Sequence, residues 1–365
     1  MKPLHATLPS SIRGLTLVEI MIALVLSLLL SAGAIQIYLS NKTSYETSEA
    51  LSRIQENGRF AIEFLTKEIR MAGFVGCSVA KIANSVDDTT GNWKYDFNNS
   101  VLGFDGGNST FPSEIASNVI SGSDAIVISR GDDTDLYIES HVASSATIHL
   151  TSNHDIKQGE ILMIADCLNS QAGIFQMSNV NTNNTIDVVD HNTGSGTTPG
   201  NCTKILKGSF DCSDLSGAVS ADYNEESKLL RMKNSIFYIA NGRNNSQGTA
   251  IPSLYHTYLA AGGGNAVALT EELLEGIENF QILYGIDTDA TADGVANRYV
   301  TANNVTDWDE VTSVRLFLLA RSIEPTGGGV KPYTYMGTTS TSHTDRYVRR
   351  QFTATIQVRN HGLDL

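Results

Sequence analysis

From Ile20 to Asn41 the chain carries no charged side chain, and apolar residues fill most positions. These 22 residues, wound as a helix, span about 33 Å, the thickness of a bilayer core. The period then changes. Leu51, Ile54, Gly58, Ala61, Leu65, Ile69 and Ala72 recur at steps of three and four, which is one face of an amphipathic helix. Glu49, Arg53, Glu56, Arg59, Glu63, Lys67 and Glu68 take the wet side. No proline interrupts the chain between Pro9 and Pro112, so one helix can run through both patterns. Gly73 and Gly76 are the candidate stops. From Leu15 to Ala72 such a helix would be roughly 87 Å long. Gly58 in its middle costs about 1 kcal/mol relative to alanine, which marks close packing or a bend.

Past Cys77 the helical period disappears, and asparagine, glycine, serine, threonine and aspartate become frequent. Short β-type runs predict strands at Asp124–Ser129, Leu136–Val142, Ala146–Leu150, Ile161–Ala165, Ile174–Val180 and Thr185–Val189. Others follow at Leu229–Met232, Ser235–Ala240, Ser253–Leu259, Phe280–Tyr284, Ser313–Ala320 and Arg349–Arg359. Asp132, Asp133 and Asp135 read as an acidic turn, and Leu269–Gly276 as a short helix or turn. The fold class is therefore α+β: a long N-terminal helix packed on a β-rich, mainly antiparallel head.

Glu19 does not fit a plain membrane anchor. A carboxylate inside a spanning helix costs roughly 2.5–3.5 kcal/mol at the bilayer centre and is a functional-site candidate by default. No lysine or arginine lies between it and Lys42. If the chain were cut after Gly14, the new amino group on Leu15 would stand four residues away.

The run Gly14-Leu15-Thr16-Leu17-Val18-Glu19 resembles the cleavage and methylation site of type IV prepilins and type II secretion pseudopilins. The departure is Leu15 where phenylalanine is usual. The resemblance implies removal of residues 1–14 by a prepilin peptidase, N-methylation of Leu15, and a subunit-assembly role for Glu19. It implies four segments: a leader (1–14), a transmembrane and filament-core helix (15–41), the amphipathic half of the stalk (42–73) and the head (74–365). Gln55-Glu56-Asn57-Gly58-Arg59-Phe60-Ala61 and the run from Glu68 to Cys77 resemble the stalk of PilW-type minor pilins. So do Gly276–Asp287, Val311–Leu316 and Phe352–Asn360 in the C-terminal part. The stretch Lys81–Lys228 carries little of the resemblance.

The formal charge is −14, and loss of Lys2 and Arg13 would take it to −16, which excludes a nucleic-acid binder on electrostatics. The basic leader and uncharged span place residues 1–14 in the cytoplasm and the head outside. An ordinary signal peptide is the plainer alternative, since Ser31-Ala32-Gly33-Ala34 imitates a processing site; its apolar core would be shorter.

Cys77, Cys167, Cys202 and Cys212 contain no C-x-x-C pair, and in an oxidising compartment they favour two disulfides over a metal. Four cysteines allow three connectivities. Cys202 and Cys212 enclose a short polar loop and favour a local pair, which leaves Cys77 with Cys167. Asp287, Asp289 and Asp293, ahead of Gly294, have the alternating carboxylates of a Ca²⁺ loop. The spacing departs from an EF-hand and Arg298 stands where the bidentate glutamate belongs, so a hairpin loop without metal is the favoured reading. No nucleophile–base motif or phosphate loop occurs, so neither enzymatic activity nor a cofactor is expected. Trp93, Tyr255, Tyr258, Tyr333 and Tyr335 are either partner-binding aromatics or half-buried sheet residues.

The resemblance implies a minor pilin of the tip or priming complex. Its partners would be other minor pilins and the major pilin, the prepilin peptidase, the inner-membrane assembly platform and a tip adhesin. It would sit in the inner membrane with its head in the periplasm, then in the pilus at the cell surface. The alternatives are a GspJ-type pseudopilin of type II secretion and, from another class, a membrane-anchored periplasmic binding module or enzyme.

Overall fold

The computed structural model describes residues 14–77, 81–87, 92–97, 99–107, 110–179, 187–194, 196–289, 293–327, 329–340 and 344–360. The leader up to Arg13 lies outside the described residues. One helix, α1, runs unbroken from Leu17 to Arg70, about 81 Å of axis. Its buried residues are Ile54, Gly58, Ala61, Leu65 and Ile69, the centre of the stripe read from the sequence. The helix ends at Arg70, three residues short of Gly73. Gly73 turns the chain at φ +71°, and a Cβ there would lie 2.6 Å from the Asn360 carbonyl oxygen. Only glycine meets both conditions.

Eighteen strands follow among the described residues. The first nine are β1 (Lys81–Asn84), β2 (Val101–Phe104), β3 (Ala125–Val142), β4 (Thr147–Leu150), β5 (Ile161–Asp166), β6 (Gln171–Gln176), β7 (Val188–Asp190), β8 (Lys207–Gly208) and β9 (Ala218–Val219). The rest are β10 (Lys228–Asn244), β11 (Ala250–Gly262), β12 (Asn265–Glu275), β13 (Ile277–Ile286), β14 (Arg298–Val300), β15 (Val311–Arg321), β16 (Tyr333–Tyr335), β17 (Thr338–Ser340) and β18 (Arg349–Gln357). A ten-stranded sheet has the path β1-β6-β5-β10-β3-β4-β7, with β2 beside β3 and the β11–β12 hairpin beside β10. A four-stranded sheet has the order β14-β13-β15-β18. Pairing is antiparallel except between β1 and β6.

The stalk and both sheets share one core. Ala61, Leu65 and Ile69 of α1 meet Phe280, Leu316 and Ile356 of the smaller sheet and Ile126 and Phe237 of the larger one. Asp124 links the sheets through its carboxylate, which accepts from the Gly106 N–H (2.9 Å) and the Ile282 N–H (2.8 Å). A second core, around Ile138, Leu162, Phe175 and Leu229, contains no residue of α1.

Several strand expectations change. Leu269–Gly276 is no helix or turn: its residues through Glu275 belong to β12, paired with β11 from Gly262↔Asn265 to Ser253↔Glu275. Its Glu- and Leu-rich composition favours a helix locally, and the ladder overrides that preference. Two expected strands fuse into β3, so Asp132, Asp133 and Asp135 lie inside a strand. Asp132 and Asp133 stay in register with Arg231 and Leu230, and a bulge takes up Thr134 and Asp135, with Asp135 at φ 55° and Lys228 held 2.5 Å from Asp133. Leu229–Met232 and Ser235–Ala240 likewise fuse into β10. Strand β6 begins at Gln171 rather than Ile174, β7 begins at Val188, and Val180 and Thr185 lie outside the described residues. Strands β1, β2, β8, β9, β14, β16 and β17 have four residues or fewer and left no pattern to read.

Candidate functional site: the stalk helix and its socket

The helix begins with a reciprocal cap. Thr16 is the N-cap, and its hydroxyl oxygen accepts from the Glu19 N–H at 3.3 Å. The Glu19 carboxylate reaches back to accept from the Thr16 N–H (2.9 Å) and hydroxyl (3.0 Å). The sequence reading left Glu19 without a nearby partner. The spacing Thr16-x-x-Glu19 is a capping box and would have revealed one. Glu19 therefore satisfies donors at the helix start within the single subunit, four residues from Leu15.

Every side chain from Gly14 to Lys42 is exposed, on all sides of the helix. An apolar helix with no wet face needs an apolar surround, either lipid or other helices. Leu15 is 73% exposed and nothing in the head approaches Gly14 or Gly33 within 4 Å of where a Cβ would stand. The segment is long and apolar enough to cross a membrane.

The head grips the helix from Thr43 onward, where Gly327 lies against the Thr43 side chain. Three contacts orient it. Asn57 donates its amide to the Glu275 carbonyl at 3.0 Å, tying α1 to the end of β12. Phe64 stands edge-on to Phe237 of β10, with centroids 5.8 Å apart. Glu68 pairs with Arg130 of β3 at 3.0 Å, both side chains largely buried. Gly58 has the closest approach: a Cβ there would fall 2.2 Å from Cε2 of Phe352 on β18. Close packing accounts for this glycine.

Beyond the helix the chain is pinned at once. The Gly73 N–H donates to the Ser129 carbonyl (2.9 Å) and the Gly131 N–H to the Phe74 carbonyl (2.6 Å). Cys77 is joined to Cys167, Cα atoms 5.7 Å apart, in the turn after β5. Cys202 is joined to Cys212, Cα atoms 5.9 Å apart. Both separations lie in the normal disulfide range.

Asp287, Asp289 and Asp293 do converge, each offering a carboxylate oxygen within 4.8 Å of the others. Those oxygens are already engaged. Asp287 accepts from the N–H groups of Asp289 (3.2 Å), Asp293 (2.9 Å) and Gly294 (2.8 Å). Asp289 accepts from the Asn297 amide and Asp293 from the Val295 N–H. The N–H of Asp289, then those of Gly294, Asp293 and Val295, hold the Asp287 carboxyl below its ordinary pKa. Among the described residues the cluster is organised around one carboxylate, that of Asp287. Of the aromatics singled out, Trp93 is buried and donates to Glu114 at 3.2 Å, and Tyr335 donates to Asn279 and Phe317 at 3.0 Å. Tyr333 lies under Arg349, Tyr255 stacks on Tyr238 and Tyr258 on His256.

An all-round apolar half-helix, continuous with a half seated in a β head, defines a pilin-like subunit. Residues 236–360 match the family described as type IV pilus-assembly protein W, and residues 9–35 match the prokaryotic N-terminal methylation motif. No curated protein and no solved structure matches the chain. Together the two matches support a PilW-like type IV pilin. The first match begins within β10 and ends just past β18, so it holds the whole four-stranded sheet on which α1 lies. Both disulfides and the second core fall outside it.

Proposed function

We propose that the protein is a non-enzymatic minor pilin of the tip or priming complex, cut between Gly14 and Leu15 and N-methylated on Leu15. Before assembly it sits in the inner membrane with its head in the periplasm; afterwards it sits in the pilus. Its partners are other pilins, the prepilin peptidase and the assembly platform, with a tip adhesin as a further one. The observation that carries this reading is the segment from Leu17 to Asn41, apolar on every face, exposed, and bearing one charged residue, Glu19. In a filament core of low dielectric, the Glu19 carboxylate would exchange its Thr16 donors for the amino terminus of a neighbouring subunit. That pairing offsets the desolvation of both charges.

Glu19→Gln tests it, because glutamine can complete a capping box but carries no charge. The variant should be cleaved, folded and membrane-inserted, yet depleted from sheared pili, and Glu19→Ala should behave alike. Wild-type levels of Glu19→Gln in the filament fraction would leave Glu19 with capping alone. A mature terminus at Met1 or near Ala34, read by mass spectrometry, would overturn the processing.

A further inference from the structure

The ten-stranded sheet forks. One edge of β10 pairs with β5 over Lys228–Arg231 and with β11 from Ser235 to Asn244. Between them, Met232, Lys233 and Asn234 have register partners only on the opposite edge, in β3. Past Tyr258, β11 parts from β10, and Leu259–Gly262 pairs on one side only, with β12. The gap between the diverging strands is an open groove of about 330 Å³.

Its floor is apolar. Ile161 and Met232 are buried beneath it, while Leu259 forms a wall and Leu269, 45% exposed, the rim. Its charged lining is Lys157, Arg231 and Lys233 against Glu160. Arg231 is held by Asp155 (2.5 Å) and Glu160 (2.8 Å), and Lys233 by Asp132 (2.5 Å). The Lys157 ammonium is in no ion pair among the described residues. Three carboxylates thus answer the three cations, and the positive charge left without a carboxylate partner in the notch is that of Lys157.

An open strand edge is a template for another chain, and soluble sheets normally cover or charge it. Here the edge flanks an apolar floor in a groove large enough for a ligand. Main-chain edges select for peptide over a compact apolar molecule, with side-chain pockets adding specificity. We propose that the fork binds an extended acidic segment of a partner protein, of about four residues or 13 Å. Its main chain would pair with Leu259–Gly262, an apolar side chain would rest on Ile161 and Met232, and a carboxylate would meet Lys157. Lys157, Glu160, Arg231 and Lys233 all precede residue 236, outside the matched family region. The proposal is independent of the role of Glu19.

The test is fluorescence anisotropy on the full chain in detergent micelles. The probe is a labelled hexapeptide of alternating valine and aspartate. Controls are the valine–lysine peptide and the acidic peptide N-methylated at alternate backbone nitrogens. The acidic peptide should saturate, the basic one should not, and N-methylation should weaken binding at least about tenfold, because it deletes main-chain donors. Lys157→Glu, an exposed change, should weaken binding about tenfold, and Leu269→Glu at least as much, with the circular dichroism of both unchanged. Equal binding of the N-methylated peptide would reduce the site to charge attraction and overturn the proposal. So would the absence of saturation at about 1 mM peptide.

Discussion

Replacing Gly58 by alanine sets two known effects against each other. In a helix interior alanine is favoured over glycine by about 1 kcal/mol. Here the new Cβ would meet three ring atoms of Phe352 at 2.2, 2.4 and 2.5 Å. Ordinary carbon contacts are about 3.5–4.0 Å, so the ring must retreat by more than about 1 Å. It can retreat, because Phe352 is only half-buried on the edge strand β18. Retreat gives up its packing on α1, and overpacking of this kind costs about 1–3 kcal/mol. The expected net effect is a loss of about 0–2 kcal/mol. In a Phe352→Ala background the obstruction is gone, and Gly58→Ala should stabilise by about 1 kcal/mol. The coupling is then about 1–3 kcal/mol, well above the additivity error of about 0.5 kcal/mol. Urea unfolding of the four chains in detergent, followed by the fluorescence of Trp93 and Trp308, measures it. Equal effects of Gly58→Ala in both backgrounds would mean that Phe352 is not why residue 58 is glycine.

The buried pair His141 and His191 should make the head acid-sensitive. His141 Nδ1 accepts from the Tyr223 N–H (3.1 Å), so its Nε2 carries the proton and donates to His191 Nε2 at 3.1 Å. Burial brings the His141 pKa down to about 4 and that of His191 to about 3, helped for His191 by its neighbour. The unfolded chain takes up protons below about pH 6.5 that the folded head refuses, so stability is full above that pH and falls as pH drops toward 4. Each ring accounts for on the order of 3 kcal/mol. Melting temperature against pH should flatten in His191→Phe, and an unchanged slope would refute the assignment. Replacing both Cys77 and Cys167 by serine should cost about 2–5 kcal/mol in urea unfolding; a change under about 1 kcal/mol would show that the bridge adds little. Calorimetry should find no Ca²⁺ site tighter than about 10⁻⁴ M at Asp287, Asp289 and Asp293. A micromolar isotherm lost in Asp289→Ala would prove that wrong.

What the sequence determined by itself is the helix and its two-part character. Charge exclusion over Ile20–Asn41 and the three-and-four stripe to Ile69 are properties of one continuous segment, and α1 obeys both. The strand-rich head was legible too, since alternation and turn residues are short-range signals. Glu19 and Leu15 are legible for the same reason, and so is the cap with Thr16, which lies in the same six residues. Partnership across the fold was not legible. The glycine at position 58 announced a constraint, but only the register of β18 brings Phe352 onto it. Leu269–Glu275 has the composition of a helix and becomes a strand because β11 offers it a ladder. Asp132, Asp133 and Asp135 imitate a turn, yet β10 holds them in a bulged strand with Lys228 beside them. The fork between β5 and β11 leaves no local trace, because it is defined by where two distant strands stop pairing with a third. Local backbone preference is encoded residue by residue, while sheet order and register depend on contacts between segments far apart in the chain, and those only the folded core decides.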